Sequence, residues 1–83
     1  MNKFLTIVIP SYRSKNLILT HLQKLSKKFK IIIIENSNDK YLKNFILDKY
    51  KNVDVYLQKN IGFGRAINFA SKKIKTKYFL VIN

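Results

Sequence analysis

Cysteine is absent from this 83-residue chain, which excludes a disulfide framework and any zinc site built on thiolates. Histidine occurs once, and the acids number four: Glu35, Asp39, Asp48 and Asp54. That is too sparse a set for a metal cage, so no metal site is expected within the chain. Long apolar runs are missing as well, since none approaches the ~20 residues of a membrane-spanning helix. The opening stretch Phe4–Ile9 stops at Pro10 and lacks the longer apolar core and small-residue cleavage site of a signal peptide. A cytoplasmic protein is expected.

What the chain does contain points to a packed fold. Apolar residues make up 47% of it, with five Tyr and six Phe, which is core-forming material rather than the composition of disorder. Its length limits it to one small domain, burying roughly 60–65% of the unfolded surface. The formal net charge is +13, a value that suits nucleic acid or an anionic membrane surface. Fifteen of the seventeen cations are Lys, however, and Lys, Ile and Asn together supply 36 of the 83 residues. Those residues have A/T-rich codons, and the lysines are scattered through every segment instead of forming one stripe. Solvated surface charge and an anion-facing role both stand as readings.

Four short apolar bursts, Phe4–Ile9, Lys30–Ile34, Val53–Leu57 and Tyr78–Ile82, predict strands. The continuous run Ile31-Ile32-Ile33-Ile34 predicts a strand covered on both faces. Between the bursts lie three segments with helical spacing. The first carries Ile18, Leu22, Leu25 and Phe29; the second Leu42, Phe45, Ile46 and Tyr50; the third Phe63, Ala66, Ile67, Ala70 and Ile74. Ser14 or Asn16 caps the first helix in this reading, and Asn38 or Asp39 the second. Lys72, Lys73 and Lys75 fall at the end of the third, where cations suit the macrodipole. The predicted order is βαβαβαβ, an α/β, Rossmann-like unit with a parallel four-stranded sheet.

In open parallel sheets, ligands bind at the carboxyl ends of the strands, so the strand exits are the informative positions. The first exit is Pro10-Ser11-Tyr12-Arg13. Proline stiffens it, and Tyr12 offers a flat face for a base, with a tyrosine packed under a loop as the alternative. The second exit is Glu35-Asn36-Ser37-Asn38-Asp39. Glu35 follows the four isoleucines at once, where a carboxylate accepts hydrogen bonds from a ribose hydroxyl or a base N–H; it comes too early to cap the next helix. The third exit, Gln58-Lys59-Asn60-Ile61-Gly62-Phe63-Gly64-Arg65, holds both glycines of the chain. Such a loop entering a helix has the backbone freedom and N–H groups for an anion, although a tight turn explains the glycines equally. It is neither a dinucleotide fingerprint nor a phosphate loop of the Gly-Lys-Ser/Thr type.

Taken together, these motifs resemble family 2 glycosyltransferases. Ile7-Val8-Ile9-Pro10-Ser11-Tyr12-Arg13 is similar to the family's opening strand, and Ile34-Glu35-Asn36-Ser37 to its second-strand motif, usually Val-Asp-Asn-Ser. Asn60-Ile61-Gly62-Phe63-Gly64-Arg65-Ala66-Ile67-Asn68 resembles the Asn-x-Gly-Phe-(Gly/Ala)-x-Ala-x-Asn signature. Tyr78–Asn83 looks like the strand leading into the DxD-type motif of the rhamnosyltransferase-like branch. The resemblance spans the whole chain, with the motifs in order.

It implies the N-terminal, nucleotide-sugar-binding part of a GT-A fold over residues 1–83, truncated before that motif. Pro10 and Tyr12 match nucleobase-pocket positions, and Glu35 matches the acid that bonds the base, where Asp is usual. Asn60 and Gly62 match the loop beside the nucleotide, Arg65 is placed near a phosphate or sugar, and Asn68 ties the helix to the loop. No residue present matches a catalytic one. A divalent cofactor, Mg²⁺ or Mn²⁺, is implied for the full-length enzyme, with its ligands beyond Asn83. The implied reaction is inverting transfer from a dTDP- or UDP-sugar to a glycan or lipid-linked acceptor in polysaccharide or cell-envelope assembly. Its setting is the cytoplasm or the inner face of the membrane, with peripheral contact; nucleic acid is not an expected partner. The competing reading is a non-catalytic remnant or module that binds nucleotides or polyanions.

Overall fold

A computed structural model describes residues 2–59 and 62–82. The order is β1 (Leu5–Ser11), α1 (Lys15–Leu25), β2 (Lys30–Glu35), α2 (Lys40–Lys49), β3 (Val53–Leu57), α3 (Phe63–Ser71) and β4 (Tyr78–Val81). The four strands form one sheet in the order β3-β2-β1-β4, and every pairing is parallel. This is the α/β class and Rossmann-like connectivity that the alternation of periods predicts.

Strand alternation divides the core into two layers. On one face Ile7, Ile9, Ile31, Ile33, Val53 and Val55 pack with Ile18 and Leu22 of α1 and Leu42 and Ile46 of α2. On the other, Val8, Ile32 and Ile34 pack with Ala66 and Ala70 of α3. The two alanines let α3 approach the sheet closely. With helices on both faces, the central strand β2 has no solvent side, and this accounts for its unbroken isoleucine run.

The strand β1 runs two residues past the predicted end and includes Pro10 and Ser11. Proline is unusual inside a sheet because it cannot donate to the ladder. Here Val8 O accepts from Ile82 N and Ser11 O accepts from Asn36 N, so Pro10, in phase with Val8, turns its nitrogen toward the β4 side. The β1–β4 register ends at Val8–Val81, so no bond is lost there.

Several helix details differ from the periodicity. Phe29 lies beyond α1, yet it still packs on the core from the loop before β2. Phe45 and Phe63, placed on apolar helix faces by spacing, are 47% and 53% exposed. The Lys49 ammonium lies over the Phe45 ring, which gives that exposed ring a polar cover. Lys72, Lys73 and Lys75 follow α3 instead of forming its last turn. Asp39 caps α2 by accepting from Leu42 N at 3.0 Å, whereas the Ser14 hydroxyl donates back to Tyr12 O rather than to α1.

Candidate functional site

The loops leaving β1 and β2 meet at the carboxyl edge of the sheet, joined by the Asn36 N–H donating to Ser11 O at 2.8 Å. With the exit of β3 they enclose an open groove of about 250 Å³, lined by Tyr12, Arg13, Asn36, Ser37, Asn38 and Lys59. Arg13 and Asn38 have φ of 52° and 58°, left-handed conformations that turn each loop sharply. The Arg13 guanidinium lies 5.1 Å from the centroid of the Tyr12 ring. Tyr12 is 46% exposed, so the groove presents an aromatic surface beside two cations, Arg13 and Lys59.

Glu35 occupies a different place from the crevice rim. Its side chain is completely buried, and both carboxylate oxygens are engaged by the loop that follows. Oε2 accepts from Ser37 N at 3.1 Å and Asp39 N at 2.9 Å, and Oε1 accepts from the Ser37 hydroxyl at 2.7 Å. These are charge-assisted bonds within one turn of chain. The carboxylate thus organises the β2–α2 loop from beneath and takes up N–H groups just ahead of α2, a role assigned by spacing to Asn38 or Asp39 alone. Beside it, two buried polar atoms lack a protein partner among the described residues, Ser11 Oγ and Asn36 Oδ1. Both belong to the strand exits that frame the groove.

The remaining predicted positions are dispersed. Pro10 is half-buried in β1 and stiffens the approach to Tyr12. Gly62 caps α3 at φ 84°, ψ 166°, a region open essentially to glycine alone. Arg65 is exposed on the first turn of α3, and neither it nor Gly62 lines the groove. Asn68 is exposed on α3, where its carbonyl accepts from the Ser71 hydroxyl at 2.7 Å. Asn60 and Asn83 lie outside the described residues. The groove residues that lie in the strand exits but that the sequence did not assign to the nucleotide are Arg13, Asn36, Ser37, Asn38 and Lys59. Their signal was position, since each stands within a few residues of a strand exit.

The acids present do not assemble into a divalent-metal site. Glu35 is taken up by the loop, Asp39 caps α2, Asp48 is exposed on α2, and Asp54 pairs with Lys30 at 2.9 Å. No cluster of three or more His or acidic side chains exists among the described residues.

A four-stranded, all-parallel α/β sheet with a groove at the carboxyl strand ends defines the class of Rossmann-like domains. Residues 6–83 match glycosyl transferase family 2, and the chain belongs to that family. Its sheet is the N-terminal, Rossmann-like portion of a GT-A fold. No curated protein and no solved structure matches it. Membership makes the protein a glycosyltransferase in general terms, with a nucleotide-sugar donor and an acceptor as substrate classes.

Proposed function

We propose that the groove framed by the three strand exits receives the nucleotide of a nucleoside diphosphate-sugar, dTDP- or UDP-linked, for inverting transfer to a saccharide or lipid-linked acceptor. The observation that carries the reading is the convergence of Tyr12, Arg13 and Lys59 on one groove at the carboxyl edge of a parallel sheet. Tyr12 gives the base a stacking surface, and the two cations face the diphosphate. Glu35 acts here through the loop: by fixing Ser37 and Asp39 it sets the wall on which the base rests. A rhamnosyl or hexosyl donor, and work at the inner membrane face in envelope polysaccharide assembly, complete the proposal; the lysine-rich surface suits that setting.

Proximity and orientation are what this groove contributes, holding the donor so that its anomeric carbon is presented outward. The described acids are all engaged or distant, so no side chain at the groove serves as a general base. The 83 residues by themselves are therefore expected to bind the donor without transferring its sugar. The exposure of Tyr78, Phe79 and Leu80 on β4 supports a further part of the proposal, that β4 is an interior strand in the working enzyme.

Calorimetric titration with UDP, dTDP and single-stranded DNA tests the reading. Saturable nucleotide binding that withstands salt and is lost in Tyr12→Ala is expected. Binding of any polyanion with a steep salt slope and no dependence on Tyr12 would favour the polyanion-binding module instead.

A further inference from the structure

The face of the sheet covered by α3 changes character at the amino-terminal ends of the strands. Its upper part is apolar, formed by Val8, Ile32 and Ile34 under Ala66 and Ala70. Lower down the same face carries Thr6 and Lys30, which are level across β1 and β2, and Asp54 of β3, which stands level with Ile32. The opposite face stays apolar to its lower edge, with Ile7, Ile31 and Val53. Below α3 the loop leading to β4 borders the polar part with Lys73, Lys75 and Thr76. This leaves a cavity of about 230 Å³ lined by Thr6, Lys30, Ile32, Asp54, Lys73, Lys75 and Thr76. It lies at the opposite end of the sheet from the nucleotide groove, and the proposed function leaves it unused.

Its charges are unequal and largely prearranged. Three ammonium groups face one carboxylate, and Asp54 is already paired with Lys30 at 2.9 Å. Lys73 is seated over Tyr56 and Phe69, 5.4 Å from each ring centroid, and those rings meet edge to face at 5.3 Å. Lys75 has no partner among the described residues. The hydroxyls brace the walls: Thr76 Oγ1 donates to Tyr78 O at 2.8 Å, so the 2.6 Å contact with Thr6 has Thr6 as donor. The carboxyl end of α3 would oppose an anion, yet its last carbonyls are occupied, Phe69 O by Lys72 N and Ala70 O by Lys73 N. What remains is a surplus of two positive charges in a recess floored by Ile32 and Thr6, where low-dielectric walls concentrate the field.

We infer that this cavity is a second ligand site, specific for a phosphoryl group, held by Lys73 and Lys75 with Lys30 at its margin. A dianion matches the two surplus cations, and lysine binds phosphate as a point charge without needing a fixed fork. The group is a phosphomonoester, from a soluble phosphorylated molecule or from a lipid headgroup that ends in one; the chemistry of the site is the same for both. The inference is independent of the nucleotide reading.

The test follows backbone amide shifts of the isotope-labelled 83-residue chain during titration with inorganic phosphate, then glycerol phosphate, then vesicles of phosphatidic acid in phosphatidylcholine. Saturable movement confined to Thr6, Ile32, Lys75 and Thr76 is expected. Lys73→Gln or Lys75→Gln should each weaken phosphate binding about tenfold, the scale of one hydrogen bond to a charged group. The remote Lys51→Gln should leave it unchanged. All three positions are exposed, so each variant keeps the fold, which the dispersion of the spectrum checks. Saturation by free phosphate identifies a soluble ligand. Response to vesicles alone, at the same amides and with the same dependence on Lys75, identifies a headgroup. Shifts that grow linearly and spread over all lysine-bearing segments, or that persist in both cavity variants, would overturn the inference. Uridine serves as the internal contrast, because it lacks a phosphoryl group and is expected to move Tyr12, Asn36 and Ser37 without the cavity amides.

Discussion

Glu35 is completely buried, and among the described residues its carboxylate accepts hydrogen bonds from Ser37 and Asp39. Truncating it to alanine leaves two backbone N–H groups and one hydroxyl without their acceptor. Hydrogen bonds to charged groups contribute roughly 1.5–3 kcal/mol each and the losses overlap, so Glu35→Ala should cost about 3–5 kcal/mol in chemical denaturation. Glu35→Gln keeps an oxygen for the two backbone N–H groups and sets its amide against the Ser37 hydroxyl, which can turn to accept; losing the charge should cost about 1–2 kcal/mol. The two readings of Glu35 separate here. An organiser loses stability and nucleotide affinity together; a residue that only touches the base loses affinity at unchanged stability. The glycines make a second contrast at this scale. Gly62 sits at φ 84°, ψ 166°, so Gly62→Ala should destabilise by about 1–3 kcal/mol although no atom lies within 4 Å of the added carbon. Gly64 lies inside α3 with equally open space, and Gly64→Ala should stabilise by about 0.5–1 kcal/mol. Thermal melts of the pair should move in opposite directions.

At the level of elements, capping distinguishes α2 from α1. Asp39→Ala removes the acceptor of Leu42 N and should lower stability by about 1 kcal/mol, with faster amide exchange in the first turn of α2. Ser14→Ala should leave exchange in α1 nearly unchanged, because its hydroxyl bonds to Tyr12 O. The elements themselves were legible because each depends on a period. Four isoleucines in a row read as a doubly covered strand, and Ile18 with Leu22, or Leu42 with Ile46, read as one helix face. The departures arise where period gives no information. Phe45 has helical phase with Leu42 but stands outside the core cluster that Leu42 and Ile46 join, half-exposed at the edge of the apolar stripe. The extension of β1 through Pro10 depended on which side of the strand lost its neighbour, a property of sheet order. Tyr12 could be placed at the groove from its position after β1. The engagement of Glu35 could not, because its partners are backbone N–H groups presented by a turn through Asn38 at φ 58°.

For the whole molecule, two opposed tendencies meet on β4. Tyr78, Phe79 and Leu80 are 58%, 42% and 52% exposed, and β4 is an edge strand that pairs with β1 alone. Such an edge is a template for pairing with another chain. The net charge of +13 works against self-association, since two copies repel at long range. Repulsion between exposed charges is screened beyond a Debye length of about 10 Å at 0.1 M salt, whereas apolar contact and strand pairing are not. Association of the chain should therefore increase as salt is raised, contrary to the response of contacts made between opposite charges. Sedimentation velocity at low and high salt measures this directly. Leu80→Lys places a charge on the edge strand at a half-exposed position, and it should abolish the salt-promoted species with little change in melting temperature. If association instead fell with salt, or survived in Leu80→Lys, the contact surface would lie away from β4. The reading of β4 as an interior strand of the working enzyme would then lose its physical support.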